Sequence, residues 1–217
     1  MEEVRDNIQY EESSVNESNL FISIWTKPTQ TLAYILKHCP EKYVMPLLIL
    51  GGIVRAIGRA TMKDMGDKMP TIGVLAMAII FGGALGWITY YIYAWGMSAT
   101  GKWLKGNAEP SEFRTIIAWA LVPTVCSLIL LVPELMIFGD DLFRSQISNT
   151  STFYSIMWSV FGVLEIILGI WTMVILIKGI SLIQKFNTGK SVLNMILPGL
   201  VIIIPLIIIG LLIRSVG

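Results

Sequence analysis

The sequence predicts an all-α membrane protein, a bundle of five transmembrane helices preceded by an amphipathic helix at the membrane interface. Of its 217 residues, 54% are hydrophobic and only 14% are charged, whereas a soluble domain has about 25% charged residues. Four apolar runs also exceed the roughly 17 residues that cross the hydrocarbon core of a bilayer. Because runs this long cannot all be hidden inside one water-soluble globule, lipid is the solvent for most of this chain.

Several classes of function are excluded by charge, cysteine usage and motifs. The formal net charge is +1 and the 16 Lys and Arg residues are spread along the chain, so we expect no nucleic-acid partner. Cys39 and Cys126 are too few for a disulfide framework, and His38, Cys39 and Glu41 do not have the spacing of a metal site. No phosphate-binding, metalloprotease or serine-hydrolase motif occurs, so no catalytic residue, cofactor or metal is predicted.

The N-terminal 42 residues divide into two segments. Residues 1–19 are acidic and poor in apolar side chains, which is typical of a disordered tail; we place it in the cytoplasm. In residues 20–42, Leu32, Ile35 and Cys39 lie on one helical face between flanking lysines. This pattern predicts an amphipathic helix in the interface of an anionic leaflet. A helix packed against the end of the bundle would give the same pattern.

The transmembrane domain is predicted to occupy residues 43–213. A fifth apolar run, residues 43–57, is short, contains Pro46, Gly51 and Gly52, and ends in Arg55 and Arg59. It spans the membrane only if those two arginines reach the far interface, and otherwise it is re-entrant. The four longer runs are residues 71–97, 116–138, 153–177 and 192–213.

Lysine and arginine counts predict the orientation. With five spans, nine of these residues lie on the side of the N-terminal segment and six on the other side, which favours a cytoplasmic N-terminus and an external C-terminus. The nine are Lys27, Lys37, Lys42, Lys102, Lys105, Arg114, Lys178, Lys185 and Lys190. If the source is bacterial, the membrane is the inner membrane of the cell.

One face of the second span carries small residues. Ala78, Gly82 and Gly86 recur every four residues, a spacing that allows another helix to approach closely. The sequence predicts a helix-packing seam here. The partner helix belongs either to the same chain or to a second copy.

Charged side chains within or at the edge of spans are the candidate functional residues, because a charge at bilayer depth is costly and normally faces a partner or a wet cavity. Arg55, Glu134, Glu165 and Lys178 qualify. Glu165 lies twelve residues from each end of its predicted span, so its short side chain cannot reach water. It is either an ion or proton site, or a structural glutamate that is protonated or paired with a cation such as Arg55.

A set of short motifs recurs in a known family: residues 24–31 (IWTKPTQT), residues 100–106 (TGKWLKG), Phe113-Arg114, residues 118–123 (AWALVP), residues 171–178, residues 183–191 (IQKFNTGKS) and Asn194. In these segments the chain resembles the Yip1 domain family, and its bacterial branch especially. The resemblance covers about residues 20–213 and implies a five-helix integral membrane protein with a cytosolic N-terminus. Eukaryotic members bind Rab-type GTPases in vesicle traffic, but their Asp-Leu-Tyr-Gly-Pro type motif is absent here, so Rab binding does not carry over.

Three hypotheses of function follow. The first is a non-enzymatic scaffold or adaptor whose partners are membrane lipids and either a partner membrane protein or other copies of itself in a homo-oligomer. The second is a small transporter or channel that uses Glu165, and this needs a wet path to that residue. The third, an intramembrane enzyme, needs a second polar group converging on Glu165, such as Glu134 or Arg55.

Overall fold

The computed structural model describes residues 15–149 and 151–216. Within these ranges the chain is helical and contains no strand. Two 3₁₀ helices, Met65–Asp67 and Gly139–Phe143, lie in the loops at one end of the bundle. The α-helices are α1 (Leu20–Thr26), α2 (Pro28–His38), α3 (Val44–Met62), α4 (Thr71–Trp103), α5 (Pro110–Ala120), α6 (Val122–Phe138), α7 (Thr152–Gln184) and α8 (Thr188–Val216).

Among the described residues, five helical segments are long and apolar enough to cross a membrane: α3, α4, the nearly continuous Pro110–Phe143 segment containing α5 and α6, α7, and Thr188–Pro205 of α8. The predicted all-α, five-span fold is therefore confirmed. The weakest prediction, residues 43–57, ended too early. Helix α3 continues to Met62 and has 19 residues, which at 1.5 Å per residue is about 28 Å, close to the ~30 Å of a hydrocarbon core.

The predicted amphipathic segment forms two short helices that pack against the bundle. Leu32 and Ile35 of α2 are fully buried, and Leu32 lies beside Gly179 of α7. In α1, Ile24 is likewise buried, whereas Ile22 on the opposite face is 75% exposed. The buried face of these two helices agrees with the alternative that the sequence allowed, a helix packed against the end of the bundle. That the exposed face lies in the membrane interface stays a prediction.

The tail prediction falls mostly outside the described residues, which begin at Val15. Residues 17–19 form a turn, and Val15 is only 3% exposed, so this part of the predicted disordered tail is packed in the structure. Glu17 forms an ion pair with Lys42. This hydrogen bond lowers the pKa of Glu17 and raises the pKa of Lys42, and it ties the chain before α1 to the start of α3.

The tightest core surrounds α5, at the end of the bundle that carries α1 and α2. Phe113, Ile116 and Trp119 are completely buried there. Two side chains of α5 also satisfy carbonyl groups of the α2–α3 connection: Thr115 Oγ1 donates to Pro40 O at 2.8 Å and Trp119 Nε1 donates to Lys42 O at 3.2 Å. We call this end the N-terminal side of the bundle.

The opposite end is closed by hydrogen bonds between two loops. Asp141 accepts from the backbone N–H of Ser148 at 2.9 Å and from the hydroxyl of Tyr154 at 3.0 Å. Ser145 Oγ donates to Asp67 at 2.6 Å and joins the α6–α7 loop to the α3–α4 loop. These bonds hold α3, α6 and α7 at fixed positions around the space between them.

Candidate functional site

The small-residue seam of α4 packs against α3 of the same chain. A Cβ atom added at Gly52 would lie 2.7 Å from the Cα of Gly86, and one at Gly82 would lie 2.8 Å from the carbonyl oxygen of Gly52. Ala78, the third predicted seam residue, is buried on the same side of α4. Gly52 of α3 is the residue that this seam contacts. In the sequence it stood out only as one of two glycines in the short run of residues 43–57.

Arg55 does not meet Glu165. It lies exposed on α3 and lines a groove between α3 and α4 together with Arg59 and Lys63. Lys178 is exposed near the C-terminal end of α7, on the N-terminal side of the bundle. Glu165 and Arg55 line separate spaces in the structure, so they do not form the ion pair that the sequence allowed as one alternative.

Glu134 and Glu165 line one cavity between α3, α6 and α7, with a volume of about 440 Å³. Glu134 is only 6% exposed, whereas Glu165 is exposed at the cavity's edge. Glu134 is therefore a second polar group in the cavity that Glu165 lines. Neither carboxyl has a hydrogen bond or ion pair within residues 15–149 and 151–216.

The hydroxyl groups of this cavity are already engaged. Thr124 shares a 2.7 Å hydrogen bond with Thr172 of α7, and Ser127 Oγ donates to Thr124 O at 2.7 Å. Most of the remaining lining is aliphatic or aromatic. The cavity is thus an apolar space with two acidic groups whose proton or counter-ion must come from outside the described side chains.

A second cluster of polar residues joins two loops on the N-terminal side. Gln184, at the end of α7, accepts the backbone N–H of Ala108 at 3.1 Å through Oε1, and Ser98 Oγ donates to the carbonyl of Ala108 at 2.9 Å. Asn194 Nδ2 donates to Met97 O at 2.9 Å. Gln184 and Asn194 are both buried, so the α4–α5 loop and the α7–α8 loop are pinned together.

The pinned loops and the helical turns next to them carry four exposed lysines, Lys102, Lys105, Lys185 and Lys190; we call this surface the lysine platform. The chain leaves α4 through Lys105, at φ 69°, and leaves α7 through Lys185, at φ 54°. After each of them, the next N–H bonds a carbonyl five residues earlier, Gly106 to Gly101 and Phe186 to Ser181. This is the helix end at which glycine is favoured, because a side chain at positive φ costs energy.

The pinning role of Gln184, Asn194 and Ser98 was not predicted from the sequence. The segments that carry the family resemblance contain Gln184 and Asn194, but polar residues near a helix end are normally exposed, so nothing local marked them as buried. The left-handed lysines had no signal either, because glycine is the residue that marks such a turn.

The fold and the arrangement of its polar residues define an integral membrane protein of the polytopic helical class, with a pinned polar surface at one end. The Yip1 domain model matches residues 22–209, which is most of the chain, and the chain belongs to the Yip1 domain family. The family resemblance predicted from the sequence is confirmed. No curated protein and no solved structure matches the chain.

Proposed function

We propose that this protein is a non-enzymatic membrane scaffold that gathers anionic lipids at its lysine platform. The observation that carries the proposal is the pinning of two distant loops into one lysine-rich surface by the buried Gln184. A non-enzymatic role agrees with the Yip1 family, whose members are generally not enzymes. Partner proteins or further copies of the chain would then meet on the lipid patch that the platform holds.

The charge of the platform supports anionic lipid as its partner. No Asp or Glu occurs in residues 98–108, and none follows Glu165. Glu109 and Glu112 mark the edge of the platform, where they form the capping box of α5. Each lysine near an anionic leaflet contributes about 1 kcal/mol of attraction, so four lysines held together favour anionic over zwitterionic headgroups.

The backbone conformation of Lys105 and Lys185 supports a role beyond helix capping. Glycine would relieve the strain of a positive φ at both positions, yet lysine stands at both. Residues held in sparsely populated conformations cluster at functional sites. A lysine at a helix C-terminus also interacts favourably with the helix dipole, by ~0.3 to 1 kcal/mol, which only partly offsets the strain of about 1 to 2 kcal/mol.

Replacing both left-handed lysines with glycine should separate binding from stability. We expect Lys105→Gly/Lys185→Gly to change the free energy of unfolding by less than about 1 kcal/mol, because the lost dipole interaction and the greater conformational entropy that glycine loses on folding together offset the relief of strain. Retention of anionic phospholipid, measured by native mass spectrometry of the purified protein, should fall several-fold. The matched control is Lys63→Gln/Lys68→Gln on the opposite side, which should retain lipid like the wild type. Equal retention by all three proteins would refute the platform's role.

Under this proposal the lysine platform and the N-terminus lie in the cytosol, and the C-terminus lies outside. The reason is the charge count: nine Lys and Arg residues lie on the N-terminal side of the bundle and six on the other side. Reporter fusions at the two ends should therefore give a cytoplasmic signal at the N-terminus and an external signal at the C-terminus. A cytoplasmic signal at both ends would contradict five spans and would make residues 43–57 re-entrant.

A small transporter using Glu165 is the second candidate function. It is favoured by one observation: Glu165 is exposed at a cavity and has no cationic partner among the described residues, whereas a purely structural glutamate would be buried beside one. Proton- or cation-coupled flux in liposomes that disappears in Glu165→Gln would support transport over the scaffold.

A further inference from the structure

The cavity between α3, α6 and α7 has the size and lining of a small-molecule site. Its volume of about 440 Å³ lies within the ~300 to 1,000 Å³ of sites that enclose drug-sized ligands. Its wall includes three aromatic residues, Phe138, Trp158 and Phe161. Phe138 packs edge-on against the rings of both Trp158 and Phe161, so the aromatic part of the wall is a preorganised unit.

Two carboxyl groups line this apolar cavity without a basic side chain beside them among the described residues. Glu134 is more than nine-tenths buried, yet it has no hydrogen bond or ion pair to any described residue. Glu165 faces the same space, and among the described side chains no Lys, Arg or His lines it. An ionised carboxylate in such surroundings is costly unless a cation joins it. The described residues supply no such cation, so the cavity suits a proton or a cation that they do not provide.

The lining favours an organic cation over a metal ion. Calcium takes six to eight oxygen ligands, but the hydroxyls of Thr124 and Ser127 are engaged in hydrogen bonds. Among the residues that the structure describes, no three His, Cys, Asp or Glu side chains are grouped to hold a metal. Aromatic rings, in contrast, attract organic ammonium ions, by up to about 2 kcal/mol when the cation is desolvated.

We propose that this cavity binds a lipophilic organic cation, with its positive nitrogen between Glu134 and Glu165 and its apolar body against Phe138, Trp158 and Phe161. The exposed position of Glu165 halfway along α7 places the entrance at the depth of the hydrocarbon core, so the ligand enters from the membrane. Lipophilic cations concentrate in membranes, which suits this route. The site lies away from the lysine platform and does not depend on the scaffold proposal.

Binding of radiolabelled N-methyl-4-phenylpyridinium to the purified protein tests this site. This probe carries a permanent charge on nitrogen, and 4-methylbiphenyl is its neutral counterpart of nearly equal shape. We expect saturable binding of the cation and at least tenfold weaker binding of the neutral compound. An excess of sodium or potassium chloride should displace little of the bound probe. Absent cation binding, equal binding of the neutral compound, or full displacement by millimolar sodium would each overturn the proposal.

Glutamine variants locate the site. Glu134→Gln and Glu165→Gln, made separately, should each weaken binding of the cation at least tenfold while keeping the wild-type melting temperature and elution volume. Glu41→Gln, an exposed glutamate on the N-terminal side, is the matched control and should bind like the wild type. Unchanged binding in both cavity variants would overturn the assignment. If one variant does not fold, the other variant and the neutral compound still show whether the cation binds in this cavity. Retention of anionic lipid should be unchanged in these variants, which separates this test from that of the platform.

Discussion

Replacing Gly86 with alanine should destabilise the protein by about 1 to 3 kcal/mol, the usual range for overpacking. A Cβ atom at Gly86 would overlap the Cα and carbonyl carbon of Gly52 on α3. Backbone atoms cannot rotate away as a side chain can, so the two helices must separate along their contact. The higher helix propensity of alanine offsets at most ~1 kcal/mol of this cost. Thermal unfolding of the purified protein in a mild detergent measures the effect.

Gly83→Ala is the matched control for this prediction. Gly83 lies on the same helix, and a Cβ there would meet only side-chain atoms of Ile49 and Ile53, at 3.7 Å or more. The control has the same change in composition and propensity without the backbone clash. We expect its melting temperature to equal or exceed that of the wild type. Equal stability of Gly83→Ala and Gly86→Ala would mean that the close approach of α3 and α4 does not stabilise the fold.

Replacing Gln184 with alanine should loosen the lysine platform while leaving every lysine in place. The variant removes the acceptor of the buried Ala108 N–H, and a buried donor without a partner costs about 1 to 3 kcal/mol. We expect the amides of the α4–α5 loop to exchange with deuterium roughly tenfold faster or more, since 1.4 kcal/mol corresponds to a factor of ten. Hydrogen exchange followed by mass spectrometry reports this, and retention of anionic lipid should fall in parallel.

Asn107→Ala is the corresponding control, because Asn107 is exposed in the same loop. Its loss should leave both exchange and lipid retention unchanged. If Gln184→Ala speeds exchange but keeps full lipid retention, then the rigid arrangement of the lysines does not matter for binding. If exchange itself is unchanged, then Gln184 does not pin the two loops.

The two predictions differ in how much of their basis was visible in the sequence. The seam of Gly82 and Gly86 was predicted from spacing alone, because a four-residue repeat places small side chains on one face of any helix. Its partner Gly52 was not predicted as such, since nothing in a single helix shows which neighbour it meets. Gln184 is 76 residues from Ala108 along the chain, and a buried role for it required the two loops to be brought together.

The candidate site was likewise predicted from the sequence only in part. Glu134 and Glu165 were found from the sequence, because a carboxyl group within an apolar run is a local feature with a known cost. That the two share one cavity, and that Arg55 lies in a separate groove, depends on how α3, α6 and α7 are rotated about their axes. Apolar residues occupy most faces of these helices, so the hydrophobic pattern does not determine that rotation.

By itself the sequence determined the all-α class, the five spans, the family and the residues worth testing. Each of these follows from local properties: the length of an apolar run, the spacing of small residues and short motifs. Only the tertiary structure decided that α1 and α2 pack on the bundle, that the seam closes within one chain, and that Gln184 unites two loops. These features depend on contacts between segments far apart in the chain, whose geometry arises only when the helices pack together.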